Sequence, residues 1–184
     1  MKKLLLLFLC IFCVNMVNAQ GMHAKFLGIP LDCTIIQFQQ KLIQKGYKPN
    51  KDLNRTTPVG RRFFDGTFLG KEALIVLFYN EKTNVVYLGK AVYNRLKQED
   101  ADKEQTKVMN LLYEKYKDAA FYENTKNGLK SFYVDSFSDF DGRVNVYQRK
   151  SDDLLLRPNN YSLHIEYIDS VNYMINEKRE MEDL

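Results

Sequence analysis

Between Thr34 and Gly46 the apolar residues Ile35, Phe38 and Leu42, with Ile36 and Ile43 beside them, recur at helical spacing, which predicts a short amphipathic helix. Both of its ends are written in the letters. Thr34 is a good N-cap, and Gln37 three residues on completes a capping box, in which each side chain serves a backbone N–H that the helix leaves unpaired. Cys33 and Phe38 hold the two positions of a hydrophobic staple, and Gly46 supplies the left-handed stop. A helix this short holds only if it packs on something. Ahead of it, residues 26–31 read as an extended arm, because Pro30 biases Ile29 away from helix.

Period-two and β-rich runs follow. Residues 61–69, 73–79 and 85–93 are rich in β-branched and aromatic side chains, and short turn-forming links between them predict an antiparallel meander. A second helix is expected at 98–118, with Ala101, Val108, Leu111 and Leu112 on its apolar side. Three more strands are expected at 129–137, 143–149 and 161–168, with 154–157 as a short extra one. Residues 170–184 carry many charges and few apolar groups and read as a frayed helix or a disordered tail. The order helix, three strands, helix, three or four strands gives an α+β fold of two helix-plus-antiparallel-sheet units, residues 24–95 and 96–169, with helices on one face of the sheet. Units of about 70 residues are marginal alone, so the two are expected to share one continuous sheet or core. In the first half both strand faces are apolar, Leu74, Val76 and Phe78 against Ile75, Leu77 and Tyr79, so the second side needs a cover. The chain itself is the expected cover, since bare apolar patches of that size are rare on monomers.

The first residues change the picture of where this domain works. Lys2 and Lys3, the apolar run from Leu4 to Val14 and the compact Val17-Asn18-Ala19 form a secretory signal over residues 1–19, so export to the periplasm or beyond is expected. Asn15 cuts the run short of the roughly 20 apolar residues that a membrane span needs, so no anchor is expected after cleavage. Lipoprotein processing is not expected either, because Leu9 and Phe12 precede Cys10 and Cys13. The mature chain, residues 20–184, keeps Cys33 as its only cysteine, which allows no internal disulfide. The formal charge of +4 falls to +2 with the loss of the two leader lysines, too little for a nucleic-acid binder that must neutralise many phosphates.

Candidate chemistry is sparse. Cys33 with His23 or His164 as base would be a reactive thiol, but its staple position explains it as a small buried hydrophobe. The histidines have no ligand spacing, so neither a metal nor a cofactor is expected. Asp139-Phe140-Asp141-Gly142 has the look of part of a calcium loop, yet that register places Phe137 and Gln148 where carboxylates are required, which leaves a turn. The basic stretch from Lys41 to Arg62 reads as a solvated rim. No catalytic constellation is visible, and a non-enzyme is expected.

Binding surfaces are more informative. In the last strand Tyr161, Leu163, Ile165 and Tyr167 alternate with Ser162, His164 and Glu166, and in its neighbour Val144 and Val146 alternate with Arg143, Asn145, Tyr147 and Arg149. If helices cover one face, the other offers Tyr147, Arg143, Arg149, His164 and Glu166 as an aromatic, polar platform of the kind that protein interfaces favour. The alternative is a small-ligand carrier with an apolar pocket under the 26–31 arm, lined by Phe64, Phe68 and Tyr79.

Three groups of residues carry a resemblance. Phe26-x-Gly28-Ile29-Pro30 with Thr34, Phe38, Leu42 and Lys45-Gly46-Tyr47; Phe64-x-Gly66-x-Phe68-x-Gly70; and Tyr161-x-Leu163-x-Ile165-x-Tyr167-x-Asp169-x-x-Asn172 resemble a family of small exported Bacteroidetes proteins of unknown function. The repeated helix-plus-meander order is also similar to the β-lactamase-inhibitor-protein fold. That second likeness, in architecture alone, implies a concave sheet presented to a partner protein.

Overall fold

The structure, a computed structural model, describes residues 23–117, 119–124, 129–134, 142–150 and 160–182. The expected signal at 1–19, the Asp139–Asp141 part of the turn and the extra strand at 154–157 lie outside the described residues. In chain order the elements are β1 (Lys25–Phe26), β2 (Ile29–Pro30), α1 (Ile35–Gln44), β3 (Lys48–Pro49), α2 (Lys51–Thr56), β4 (Arg61–Phe68), β5 (Lys71–Tyr79), β6 (Val86–Leu96), α3 (Gln98–Lys115), β7 (Ala120–Asn124), β8 (Leu129–Val134), β9 (Gly142–Lys150), β10 (Tyr161–Asp169) and α4 (Ser170–Glu182).

The α+β class is as the pattern predicts, and the two halves do share a sheet. Eight strands run in the order β3-β4-β5-β6-β10-β9-β8-β7, all antiparallel. Each half thus contributes four strands, and the last strand of each, β6 and β10, forms the seam. Across it Glu166 stands opposite Lys90, and Tyr167 opposite Gly89.

The sheet's first face carries the main core. Phe64, Ile75, Leu77, Ala91, Tyr93, Val144, Val146, Leu163 and Ile165 are buried there under Phe38 and Leu42 of α1 and Val108, Met109 and Leu112 of α3. Helix α1 is built as its letters say. Thr34 accepts from the Gln37 N–H while the Gln37 side chain accepts from the Thr34 N–H, and Gly46, at φ 90°, closes a Schellman turn in which the Tyr47 and Gly46 N–H groups donate to Leu42 and Ile43 carbonyls. Its buried stripe is narrower than expected, since Ile36 and Ile43 stay exposed.

Four segments differ from the sequence reading: β3 and α2 form over residues 48–56 and β7 over 120–124, where no element is expected, and the arm and the tail depart as well. The 26–31 arm is a hairpin, because Leu27 and Gly28 at φ 55° and 75° make the two-residue mirror-image turn that matches strand twist. It closes the core directly. The Phe26 ring seats on the backbone of Gly89, stacking against Phe68 at 6.0 Å and tilting against Tyr167 at 5.5 Å. The charged tail, expected to be frayed or disordered, is the ordered helix α4. Its start is fixed by Asp169, fully buried, which accepts from the N–H groups of Asn172 and Ala24 and bonds His23 Nδ1 at 2.9 Å. Asn172 Nδ2 then donates to the Leu31 carbonyl, so one carboxylate and one amide tie hairpin and helix together. Further along, Tyr173 packs edge-on to Tyr87 and under the Arg143 guanidinium, and Asn176 accepts from Asn80. Arg143 pairs with Ile168, one residue out of phase with core-facing Tyr167, so α4 lies across one end of the second face. The expected helices α1 and α3 cover the first face; α4 is an addition on the second.

A methyl group at Gly89 would fall inside the Phe26 ring, and backbone on a central strand cannot retreat. Gly89→Ala is therefore expected to cost about 1–3 kcal/mol or more. Urea unfolding of the purified variant checks this; an unchanged midpoint would contradict the packing described.

Candidate functional site

On the second face the seam carries a polar cluster set among apolar neighbours. Val76, Leu88, Val92 and Ile168 are buried on this face, and into that row β6 inserts Lys90 and β10 inserts His164 and Glu166. Lys90 Nζ lies 3.0 Å from Glu166 Oε1 and donates to the Tyr147 hydroxyl at 2.9 Å; that hydroxyl donates in turn to Glu166 Oε1 at 2.7 Å. Asn145 Nδ2 reaches the other carboxylate oxygen at 3.3 Å. The Lys90 and Glu166 side chains are only 14% and 15% exposed, so the pair is nearly out of water and each charge needs the other.

Beside it the Tyr147 and His164 rings lie parallel, centroids 4.8 Å apart, as register partners on neighbouring strands. His164 Nε2 sits 2.7 Å from Ser162 Oγ, which is itself 3.3 Å from the Arg149 carbonyl. The carbonyl can only accept, so the Ser162 hydroxyl donates to it and accepts from Nε2–H. Nδ1 is then a bare acceptor; it is buried and has no hydrogen-bond partner among the described residues.

The electrostatics follow from burial. Burial pushes the His164 pKa down to about 4, with the Lys90 charge acting in the same direction, so the ring is neutral at neutral pH. For Glu166 burial alone would raise the pKa, but Lys90 and the hydrogen bonds from Tyr147, Lys90 and Asn145 outweigh it and hold the carboxyl below its ordinary value. Burial, then the Glu166 charge, pushes the Tyr147 phenol well up. The cluster is thus lysine cation, carboxylate, neutral phenol and neutral imidazole. A depression of about 350 Å³ opens beside it, lined by Leu129, Asn145, Tyr147, Gln148, Arg149 and Glu166.

Of the five expected platform residues, Tyr147, His164 and Glu166 come together and exposed Arg149 borders them. Arg143 does not join. Its guanidinium lies 5.7 Å from the Tyr173 ring centroid, where it serves the packing of α4. Lys90, Asn145 and Ser162 are site residues that the sequence reading did not select. Lys90 had a signal, as the lone charge amid the run from Val86 to Val92.

The residues of the expected pocket separate: Phe68 lines a cleft of about 410 Å³ beside the hairpin, whereas Phe64 and Tyr79 do not. Phe64 and Tyr79 are 0% and 3% exposed and are core residues, because the hairpin lies flat on the sheet and fills the space with Phe26 and Leu31. Cys33 is half-buried against the core, as a staple residue should be, with Lys41 Nζ 3.3 Å from its sulfur. Among the described residues no three potential ligands gather to hold a metal ion, and no helix is long and apolar enough to cross a membrane.

The buried imidazole makes stability depend on pH. Unfolded, His164 takes up its proton near pH 6.5; folded, only near pH 4. Between those values the unfolded chain binds more protons, so the contribution is fully present above about pH 6.5 and is lost as pH falls toward 4. It is expected to amount to something on the order of 2 kcal/mol after allowing for partial solvation. His164→Phe keeps a ring on Tyr147 and should flatten this part of the profile in urea titrations from pH 7 to pH 4. Parallel profiles for variant and parent would contradict the buried, neutral imidazole.

No protein-family model matches the chain, and neither a curated protein nor a solved structure shows significant similarity to it.

Proposed function

We propose that the protein is an exported, non-enzymatic binding module that engages another protein through the second face of its sheet, with Tyr147 and Arg149 as anchors. One observation carries the reading: the Lys90–Glu166–Tyr147 cluster is already fixed and internally paired before any partner arrives. A partner covering it has little left to desolvate or immobilise, the two costs that most reduce binding energy. What it meets is a held aromatic ring beside an exposed guanidinium and a depression, and Tyr and Arg are the residue types over-represented among binding hot spots. The order of two helix-then-strand units is the ground for the expected likeness to β-lactamase-inhibitor-type proteins, which use a sheet face on a partner, and that likeness is part of this proposal. The leader-like residues 1–19 support export.

Arg149→Glu changes an exposed residue and should leave folding intact while reversing the charge beside Tyr147. Immobilised mature chain is expected to capture a partner from periplasmic extract, and R149E to weaken that capture about tenfold or more, the cost of one hot spot. Recovery of the same partner at the same yield by R149E, and by Tyr147→Ala with Arg149→Ala, would contradict this face as the interface.

A further inference from the structure

A second site lies on the opposite side of the sheet, and it does not depend on the partner face. The sequence contains Phe-Leu-Gly twice, at Phe26-Leu27-Gly28 and Phe68-Leu69-Gly70, and the structure brings the two together. Each is a two-residue hairpin turn with positive φ at both central residues, 55° and 75° in the first, 49° and 81° in the second. Because the two phenylalanines stack, the leucine after each one reaches the same cleft, of about 410 Å³. That volume falls in the roughly 300–1,000 Å³ range of small-molecule sites.

The far wall is helix α3. Val108, Leu111, Leu112 and Lys115 are spaced to share one helix face, and all four line the cleft. Val108 and Leu112 are buried, whereas Leu111 is 40% exposed and Leu69 46%, so the apolar lining continues out to the mouth. Leucine at positive φ is strained, and asparagine or glycine would make either turn without strain. Leu27 recovers part of that cost by packing on the core; Leu69, half in solvent, recovers little. Backbone strain of this kind gathers where a side chain is needed for something other than folding. Of the charged groups lining the cleft, Lys25 and Lys115 are both cationic, and no carboxylate is among the described lining residues.

We infer that this cleft binds an amphipathic anion, a single alkyl chain lying between the leucines of the two turns and α3 with its acidic head at Lys25 and Lys115. Chain and head are both required by the lining. A bare anion would face leucine walls that return nothing for its desolvation, and a cationic amphiphile would place its head against two ammonium groups.

Dodecanoate below its micelle-forming concentration is the probe, titrated calorimetrically into the mature chain. Saturable one-to-one binding is expected, with dodecyltrimethylammonium, the same chain on a cationic head, at least tenfold weaker. Leu111→Glu should weaken dodecanoate at least tenfold with circular dichroism unchanged, and Lys25→Gln with Lys115→Gln should remove the preference between heads. Leu69→Asn separates strain from use: it is expected to raise Tm by about 2–4 °C while weakening dodecanoate several-fold. Non-saturable uptake, equal affinity for the two heads, or L111E binding as parent does would overturn the site. None of these variants touches the second face, so R149E and the partner capture test a different surface.

Discussion

The antiparallel pairing of β6 with β10 is the constraint on which everything else in this protein rests. Each half ends in a strand that would otherwise be an exposed edge beside half a core, and a unit of about 70 residues buries too little to stand alone. Joining the two last strands removes both edges at once. It also sets what lies at the centre. On the first face the seam places Gly89 opposite Tyr167, leaving the flat seat that the Phe26 ring occupies. On the second it places Lys90 opposite Glu166, so the nearly buried ion pair is made of one charge from each half.

The two faces divide the work. The first is closed by the chain itself, with α1, α3 and the N-terminal hairpin held down by Asp169 and Asn172. Part of its apolar surplus emerges at the cleft beside α3. The second face keeps polar groups among valines and leucines, and it can do so because nearly every one has a partner: lysine with carboxylate, phenol with carboxylate, imidazole with hydroxyl. Among the described residues two buried atoms on this face lack a hydrogen-bond partner, the Nδ1 acceptor of His164 and the Nε–H of Arg143, whose guanidinium lies over the Tyr173 ring instead.

What the letters disclose follows from how local each feature is. The box and stop of α1 involve residues within a few positions of one another, and they hold in the structure to the individual hydrogen bond. The inward and outward rows of β9 and β10 are readable for the same reason, as is the meeting of Tyr147, His164 and Glu166. Three things were out of reach. The hairpin at Leu27-Gly28 is hidden because its strands are two residues long and its turn uses leucine where asparagine would announce it. Helix α4 is hidden because Tyr173 and Asn176 find their partners, Tyr87 and Asn80, some ninety positions away. Lys90 stands out as a charge in an apolar run, but its counter-ion belongs to the other half and appears only once the seam exists. Likewise Asp169 and Asn172 read as solvated polar residues until the Ala24 N–H is seen to donate to the first and the Leu31 carbonyl to accept from the second.

Native-state hydrogen exchange in graded urea tests the seam most directly. If the two units are one cooperative structure, the backbone amides of β6 and β10 should exchange only through global unfolding, with one common free energy equal to that of the whole chain. Opening of either unit at a lower free energy, while the other keeps its protection, would contradict the account.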